Sequence, residues 1–271
     1  MRNLKDRVAV VTGAGGGVGR SLALALASEG VHLALVDIDS EALGVTCAAL
    51  VDYPVRVSEH VINIVSKAAM SALPDAVLAE HGKVNILVNN AGVTFQKSFE
   101  NHSIEDWERI VGINWWGVLY GCHYFLPHLK AAGEGHIVNL SSMNAFVGLA
   151  SQSSYCATKS AVRLLSESIQ AELGVHNIGV TSVHPGAIKT EMMKATLADA
   201  DDQGVALRTY EFVQKIGVSP ETVARRIVKA IRNNDVRIRV GADVVVVDWI
   251  KRAFPVSVQR LVGWAYKKSM N

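Results

Sequence analysis

Three side chains near the middle of the chain could carry out acid–base chemistry together. Tyr155 and Lys159 stand four residues apart in a helical pattern, so we expect them on the same face of a helix. A free tyrosine titrates at about pH 10, and a lysine ammonium one turn away favours the phenolate and lowers that pKa. Ser142 follows a predicted strand, where its hydroxyl could hold a substrate oxygen while Tyr155 exchanges a proton. The pattern predicts proton exchange with a substrate oxygen.

A glycine-rich turn, residues 12–19 (TGAGGGVG), follows the first predicted strand. Glycine permits the sharp change from strand to helix and lets backbone amides approach a pyrophosphate. Asp37 ends the second predicted strand, where dinucleotide-binding folds place a carboxylate that binds ribose hydroxyls. Such a carboxylate repels the extra phosphate of NADP, and no Arg or Lys lies in the turn or directly after Asp37, so NAD is predicted. The alternative is that Asp37 caps the next helix, as Asp39 or Ser40 could also do.

Short apolar strands alternate with longer helical patterns along most of the chain. The strand candidates are rich in Val or Ile and cover residues 8–11, 32–36, 55–62, 84–88, 136–140, 180–183 and 236–240. This alternation predicts an α/β fold with a doubly wound parallel sheet of about seven strands, a Rossmann fold. Ser103 and Asp106 resemble a capping box that opens a helical stretch over 104–129, and Ser219 is expected to cap another helix.

Two segments depart from this alternation, although no repeat or linker divides residues 1–271, which are expected to form a single domain. Residues 187–217 are polar, Ala-rich and without a clear strand, which predicts a substrate-binding loop or lid. Residues 242–271 form a C-terminal extension in which aromatic and aliphatic residues mix with Lys and Arg. This mixture could lie on a membrane surface or pack on a neighbour or the substrate lobe, and we favour packing or an interface.

Composition and charge argue against several classes of protein. Of the 271 residues, 49% are hydrophobic and 19% charged, below the share of about 25% usual for soluble domains, which suggests that sister subunits cover part of the surface. A net charge of +2 without a basic, aromatic-rich run argues against nucleic-acid binding. The three cysteines and the scattered histidines lack metal spacing, so reduced thiols and no metal site are expected. Charges interrupt every apolar segment and no signal peptide is evident, which predicts a cytoplasmic protein without a membrane span.

Six motifs in order resemble those of the short-chain dehydrogenase/reductase superfamily. Tyr-x-x-x-Lys matches Tyr155 and Lys159, and Thr-Gly-x-x-x-Gly-x-Gly matches Thr12, Gly13, Gly17 and Gly19. The remaining matches are Asn89-Asn90-Ala91-Gly92 after the fourth strand, the helix residue Asn114, Ser142 thirteen residues before the tyrosine, and Pro185-Gly186 with Thr190 beyond. The resemblance runs from about residue 5 to about residue 241.

The resemblance implies a role for each matched position. Tyr155 would be the general acid–base, Lys159 would also bind the nicotinamide ribose, and Ser142 would polarise the carbonyl. Asn114 would hold a water that links Lys159 to solvent. Asn63 stands where relatives often have an Asp that reads adenine, and its amide could do the same. The cofactor-binding set would be Thr12, Gly13, Gly17, Val18, Gly19, Asp37, Asn63, Asn90 (along the adenine ribose), Ala91, Gly92, Tyr155, Lys159, Pro185, Gly186, and Ile188 with Thr190 (on the carboxamide).

Apolar residues after Ser142 and after the Pro-Gly turn predict a pocket for a bulky hydrophobic substrate. The candidates are Ser142, Met143, Phe146, Val147, Leu149, Met192 and Met193. The chain is therefore expected to be an NAD-dependent oxidoreductase that interconverts a hydrophobic secondary alcohol and its ketone. As in the family, it is expected to form a homo-oligomer, a tetramer rather than a dimer. Two alternatives stay open: a 3-oxoacyl-thioester reductase acting on an acyl carrier, which would need a basic docking patch, and a non-catalytic NAD-binding sensor.

Overall fold

One parallel sheet organises the chain. The structure, a computed structural model, describes residues 1–190, 194, 197 and 200–269. Within these residues the strands are β1 (Val8–Thr12), β2 (His32–Asp37), β3 (Val57–Val61), β4 (Ile86–Asn89), β5 (Gly135–Leu140), β6 (Ile178–Pro185) and β7 (Arg237–Val240). They form a seven-stranded sheet in the order β3-β2-β1-β4-β5-β6-β7, and every neighbouring pair is parallel. This confirms the predicted doubly wound sheet, whose strand order reverses between β1 and β4.

Helices cover both faces of the sheet. In the described residues they are α1 (Gly17–Ala27), α2 (Ser40–Ala48), α3 (Lys67–His81), α4 (Ile104–Val111), α5 (Gly117–Ala131), α6 (Ser153–Leu173), α7 (Gln203–Ile216), α8 (Pro220–Asn233), α9 (Ala242–Ala253) and α10 (Pro255–Ser269). Ala9 and Val11 of β1 pack in one core cluster with residues of α1, α2 and α8, whereas Val8 and Val10 pack with α3, α5 and α6 in the other. Both faces of β1 are buried, which explains its uninterrupted apolar sequence.

Strand β6 extends further than its apolar run predicted. The expected strand covered residues 180–183, but pairing with β5 on one side and β7 on the other carries β6 to Pro185. Ser182 and His184 are therefore buried polar residues within a strand. They remain stable there because they hydrogen-bond to each other, with 2.8 Å between the serine Oγ and the histidine Nε2.

The predicted helical stretch over 104–129 is interrupted. The Ser103 side chain accepts a hydrogen bond from the amide of Asp106 (3.1 Å), and the Asp106 carboxylate accepts one from the Ser103 amide (3.3 Å), as predicted. However, a π-helical segment, Gly112–Trp116, separates α4 from α5. The glycines at the two ends of this break allow close packing, since a Cβ on Gly117 would lie 2.5 Å from the Ile64 side chain. The tight approach of the loop after β3 is a tertiary contact that local sequence did not reveal.

The two irregular segments contain helices. In the predicted lid, residues 187–217, Ile188 pairs with Val218 and α7 is capped by the side chain of Asp202. The C-terminal extension, residues 242–271, consists of α9 and α10 as far as it is described. Ser219 caps α8, with its Oγ 3.3 Å from the amide of Thr222, as predicted. No helix in the described part of the chain is long and apolar enough to span a bilayer.

Candidate active site

A cavity of about 400 Å³ lies at the carboxyl ends of the strands, across the point where the strand order reverses. Its walls are Gly13, Gly16, Gly17, Val18, Asp37, Ile38, Ile62, Asn63, Ile64, Asn90, Ala91, Gly92, Val93, Ile113, Leu140, Ser141, Ser142, Tyr155, Lys159, Pro185, Gly186, Ile188 and Thr190. Loops from successive parallel strands open at the same edge of a sheet, so residues distant in sequence meet here. Fourteen of the sixteen predicted cofactor-binding residues line this cavity; Thr12 and Gly19 do not.

The glycine turn forms one wall and depends on residues without side chains. Gly13 and Gly17 have φ angles of +66° and +51°, which L side chains rarely adopt. A Cβ on Gly13 would lie 2.8 Å from the Cα of Ala91. Helix α1 begins within this turn, at Gly17, and at its N-cap, Gly16, the structure shows no capping side chain. Its first amides are thus available to an anion in the cavity.

Thr12 and Asn90 hold the glycine turn against the end of β4. The Thr12 Oγ1 accepts hydrogen bonds from the amides of Asn90 (3.0 Å) and Ala91 (3.1 Å). In return, the Asn90 side-chain amide donates to the carbonyls of Thr12 (2.9 Å) and Gly13 (3.1 Å). Thr12 therefore shapes the cavity from behind its wall. The contact of Asn90 with an adenine ribose stays a prediction.

Gly19→Ala is expected to lower the free energy of unfolding by about 3 kcal/mol. An added Cβ would lie 1.9 Å from the Gly13 carbonyl oxygen, so the turn or α1 must move. Gly44→Ala in α2 is the control, because a Cβ there meets nothing within 4 Å and is expected to be neutral or slightly stabilising. Thermal and denaturant unfolding measure both variants; equal stabilities would contradict the close packing of Gly19.

Asp37 closes the far end of the cavity from the end of β2. Its Oδ2 accepts a hydrogen bond from the amide of Gly15 (2.7 Å), and its Oδ1 accepts from the amide of Asp39 (3.1 Å). The cap of α2 is instead Asp39, whose Oδ1 accepts from the amide of Ala42 (3.0 Å). The alternative reading of Asp37 as a helix cap is therefore wrong.

Tyr155, Lys159 and Ser142 meet at the other end of the cavity. Tyr155 and Lys159 lie one turn apart near the start of α6, with the lysine Nζ 5.7 Å from the tyrosine ring centroid. The Nζ also donates a hydrogen bond to the carbonyl of Leu140 (2.8 Å), which fixes the ammonium beside the end of β5. Ser142 follows β5 and is 8% exposed. The three side chains that the sequence singled out for acid–base chemistry thus line one cavity wall.

Burial shifts the pKa values of both ionisable groups. It raises the pKa of Tyr155 above its ordinary value, while a hydrogen bond with Ser142 acts in the opposite direction. The same effect lowers the pKa of Lys159 to about 8. The expected lowering of the Tyr155 pKa is therefore wrong for this structure, because desolvation of the phenolate is the largest effect and raises the pKa. The protein therefore binds the tyrosine proton firmly and the lysine proton loosely.

Asn114 stands behind the cavity wall. It is fully buried in the π-helical segment, and its Oδ1 accepts from the amide of Val93 (2.9 Å) while its Nδ2 donates to the carbonyl of the same residue (2.9 Å). A Cβ on Gly92 would lie 3.1 Å from the Asn114 Oδ1 and 3.3 Å from the Lys159 Nζ. Asn114 thus fixes the loop after β4 beside the lysine, and its role in holding a water stays a prediction.

His184 supports Ser142 from within β6. Its Nδ1 lies 3.0 Å from the Ser142 carbonyl oxygen, and since a carbonyl only accepts, the Nδ1 carries the donated proton. Its Nε2 meets the Ser182 Oγ, and its ring packs on Phe146 with 4.5 Å between centroids. His184 is therefore a buried, packed histidine. It also anchors the backbone of a candidate catalytic residue.

Acid is expected to unfold the protein partly through His184. Burial lowers its pKa from 6.5 to about 4, so between these pH values the unfolded chain binds a proton that the folded protein does not. Stability is therefore full above pH 6.5 and falls by about 3 kcal/mol as the pH drops to about 4. Denaturant titrations at several pH values should show a weaker pH dependence in His184→Asn, whereas exposed His176→Asn should behave as wild type. An unchanged dependence in His184→Asn contradicts this assignment.

The predicted substrate residues are only partly gathered at the cavity. Ser142 lines it, whereas Met143 and Leu149 are half-buried and Val147 is buried, all outside the described lining. The prediction that Phe146 lines the substrate pocket is wrong. Its ring lies against His184, and the guanidinium carbons of Arg163 and Arg237 lie 5.4 and 5.9 Å from the ring centroid. The 3₁₀ turn after Ser142 directs it toward β6 and α6 rather than into the cavity. Met192 and Met193 lie outside the described residues.

Several wall residues were missed by the sequence analysis. They are mostly apolar: Ile38, Ile62, Ile64, Val93, Ile113, Leu140 and Ser141. Gly16 also lines the cavity; it lies in the predicted glycine turn but not in the predicted cofactor-binding set. Most of the others lie at or just after the carboxyl end of β2, β3, β4 or β5, where open α/β sheets bind ligands. Their position relative to the strands was therefore an available signal, which the search for polar and glycine motifs did not use.

Comparison with known proteins agrees with this arrangement. The model of the short chain dehydrogenase family matches residues 7–201. The chain is 38% identical to SadH of Mycobacterium tuberculosis over 267 residues, which cover 97% of this chain and 96% of SadH. It is 32% identical to cyclohexanol dehydrogenase of an Acinetobacter species over 242 residues, covering 89% and 93% of the two chains. A short-chain dehydrogenase/reductase from Burkholderia phymatum in complex with NAD has a TM-score of 0.87 at 28% identity, covering 93% of this chain and 95% of that chain. A family match across most of the chain confirms what its six motifs predicted: this protein belongs to the short-chain dehydrogenases.

Proposed function

We propose that the protein is an NAD-dependent oxidoreductase that interconverts a hydrophobic, ring-containing or otherwise bulky secondary alcohol and its ketone. The observation that carries the proposal is the convergence of Ser142, Tyr155 and Lys159 on the same cavity as the glycine turn and Asp37. Acid–base groups at one end and an anion-binding turn at the other suit a reaction between a dinucleotide and a small alcohol.

The cavity fits a nicotinamide dinucleotide. The glycine turn leaves room where side chains would fill it, and the uncapped start of α1 offers amides to a pyrophosphate. Asp37 would accept hydrogen bonds from the adenosine ribose hydroxyls. Ile38, Ile62 and Asn63, the wall residues that follow β2 and β3, would lie beside the adenine. The NAD complex of the Burkholderia relative supports this assignment. When bound, the nicotinamide would accept hydride from the alcohol carbon or return it to the ketone.

The residues of the chain would handle the proton and the oxygen. In oxidation, the phenolate of Tyr155 takes the hydroxyl proton as the carbon–oxygen double bond forms; in reduction, its hydroxyl returns that proton to the ketone oxygen. Ser142 donates a hydrogen bond to the same oxygen and thereby holds it next to Tyr155. The positive charge of Lys159, fixed by the Leu140 carbonyl, favours the phenolate at the moment of transfer.

The substrate class follows from the character of the wall. Val93, Ile113 and Ile188 line the cavity, and no charged side chain other than Asp37 and Lys159 belongs to its described lining. An apolar wall with a few convergent polar groups binds a hydrophobic alcohol better than a sugar. The relative named cyclohexanol dehydrogenase supports a cyclic secondary alcohol as substrate.

The experiment follows nicotinamide absorbance with purified protein, NAD or NADP, and a graded panel of linear, branched and cyclic secondary alcohols. We expect turnover with NAD that increases with the apolar bulk of the alcohol. Turnover only with 3-oxoacyl thioesters would favour the acyl-carrier alternative. Tight NADH binding without turnover on any alcohol or ketone would favour the sensor alternative.

A further inference from the structure

The C-terminal helices present an exposed apolar surface. Its members, here called the C-terminal apolar surface, are Val246, Trp249, Ile250, Phe254, Val256, Leu261 and Trp264. Trp249 and Phe254 are each 61% exposed and Trp264 is 60% exposed. Soluble proteins seldom expose several large aromatic side chains on consecutive helices, so such a group of side chains marks an interaction site.

Helix α9 packs on the body of the protein through the face opposite to this surface. The buried Val244 and Asp248 lie on that packed face. The Asp248 carboxylate binds Arg239 of β7 (2.9 Å) and Arg252 (2.8 Å). On α9 the exposed residues Val246, Trp249 and Ile250 are spaced three and four residues apart, which places them on the opposite face. The apolar stripe therefore points outward while α9 is anchored.

Helix α10 continues the surface and is joined to the region after Ser142. The Gln259 side chain donates to the Gly148 carbonyl (3.0 Å) and accepts from the Lys251 Nζ (3.2 Å). Val258 and Val262 are half-buried, whereas Leu261 and Trp264 are exposed. Both helices thus expose large apolar side chains, and hydrogen bonds of Gln259 hold α10 against Lys251 of α9 and against Gly148.

The charged residues from 249 to the C-terminus have one sign. From residue 249 to residue 271 the sequence contains five basic residues, Lys251, Arg252, Arg260, Lys267 and Lys268, and no Asp or Glu. The nearest acid before them in sequence, Asp248, is buried and bound to two arginines. Lys268 lies over the ring of Trp264, with 5.4 Å between its Nζ and the ring centroid, so cations and aromatic rings are interleaved.

The sequence favoured packing or an interface for this extension, but its large apolar residues are exposed, and we propose instead that the C-terminal apolar surface binds the surface of an anionic phospholipid bilayer. Tryptophan and phenylalanine partition into the interface between headgroups and acyl chains, and lysine and arginine beside them attract anionic lipids. A second copy of this chain fits less well, because a two-fold contact would bring two sets of cations together. Arg252 is paired with Asp248, but residues 249–271 hold no acidic side chain to pair Lys251, Arg260, Lys267 and Lys268. Charge complementarity therefore selects the lipid surface over self-association.

The test measures co-sedimentation of the full-length protein with vesicles of phosphatidylcholine alone or mixed with phosphatidylglycerol. We expect binding to the mixed vesicles that weakens with salt, and affinity for neutral vesicles at least about 100-fold lower. Arg260→Gln should lose about fivefold in affinity, and Trp249→Ser/Phe254→Ser should lose most binding. The controls are Lys229→Gln, an exposed cation on α8, and Val175→Ser, an 83% exposed apolar residue elsewhere.

Each other outcome overturns the proposal. The proposal is wrong if the protein does not bind the mixed vesicles. It is also wrong if the protein binds neutral and mixed vesicles equally and Arg260→Gln leaves that binding unchanged. If Trp249→Ser/Phe254→Ser dissociates an oligomer in analytical ultracentrifugation while vesicles have no effect, a second copy covers the surface instead. Binding to an acidic protein but not to vesicles assigns the surface to a protein partner. All four variants should keep wild-type alcohol oxidation in solution, so a folding defect is detected separately.

Discussion

Tyr155→Phe is expected to lower kcat for alcohol oxidation by roughly 10²–10⁴-fold and to leave NADH binding unchanged. The phenylalanine fills the same space near the start of α6 but has no oxygen to take the hydroxyl proton. Since burial holds the pKa of Tyr155 above its ordinary value, wild-type oxidation should accelerate as the pH rises and more phenolate forms. Steady-state absorbance kinetics across pH, with NADH binding followed by fluorescence, measure both effects.

The matched control is Tyr124→Phe, which removes a hydroxyl from a tyrosine on α5 that does not belong to the described cavity lining. It should retain wild-type kcat and the same pH profile. A Tyr155→Phe protein that still turns over within tenfold of wild type would falsify the acid–base assignment. Loss of NADH binding in that variant would instead mean that the tyrosine shapes the cofactor site.

Asp37→Asn is expected to lower the preference for NAD over NADP, measured as the ratio of the two kcat/KM values, by roughly 10²-fold. The carboxylate at the end of β2 would stand beside the 2′-phosphate of NADP, and like charges repel strongly at such short distance. Asparagine keeps an oxygen that can accept from the Gly15 amide, so the turn should survive while the charge is removed. Comparing wild type with Asp37→Asn therefore measures the effect of the negative charge while the hydrogen bond to the glycine turn is kept.

Asp39→Asn is the control for this prediction. It also removes a negative charge two residues away, but asparagine is an equally good cap for α2, and the Asp39 carboxylate serves that cap. Its cofactor ratio should stay near that of wild type. Arg20, whose guanidinium donates to the Ala42 carbonyl (3.2 Å) and the Thr46 hydroxyl (3.0 Å), is already engaged next to the turn. If wild type prefers NADP, the assignment of Asp37 is wrong whatever its variants do.

Much of the fold was readable because its causes are local or periodic. Buried parallel strands need apolar residues on both faces, so short apolar runs such as β1 and β2 could be recognised in the sequence. Helix starts were equally visible at Ser103 and Ser219, because a capping side chain bonds to amides only two or three residues away. The spacing of Tyr155 and Lys159 placed both on one helix face for the same reason.

Interactions between distant parts of the chain could not be read in this way. Asn89 illustrates this: its amide donates to the Asn139 side chain (2.8 Å), and the Asn139 amide donates to the Ser166 Oγ (3.0 Å). These three buried residues join β4, β5 and α6 beneath the cavity. Hydrogen bonds across a sheet depend on strand order and register, which the pattern of any single segment does not encode.

The sequence by itself determined the strand–helix alternation, the glycine turn, and the choice of candidate acid–base groups, because each rests on backbone sterics or on spacing within one element. Only the tertiary structure decided that Phe146 packs on His184 away from the cavity, that Asn90 braces the glycine turn, and that a π-helical segment carries Asn114. It likewise decided that Trp249 and Trp264 face outward. The physical reason is common to all: burial and hydrogen-bond partners are set by which elements pack together, and packing brings together residues that are far apart in the chain.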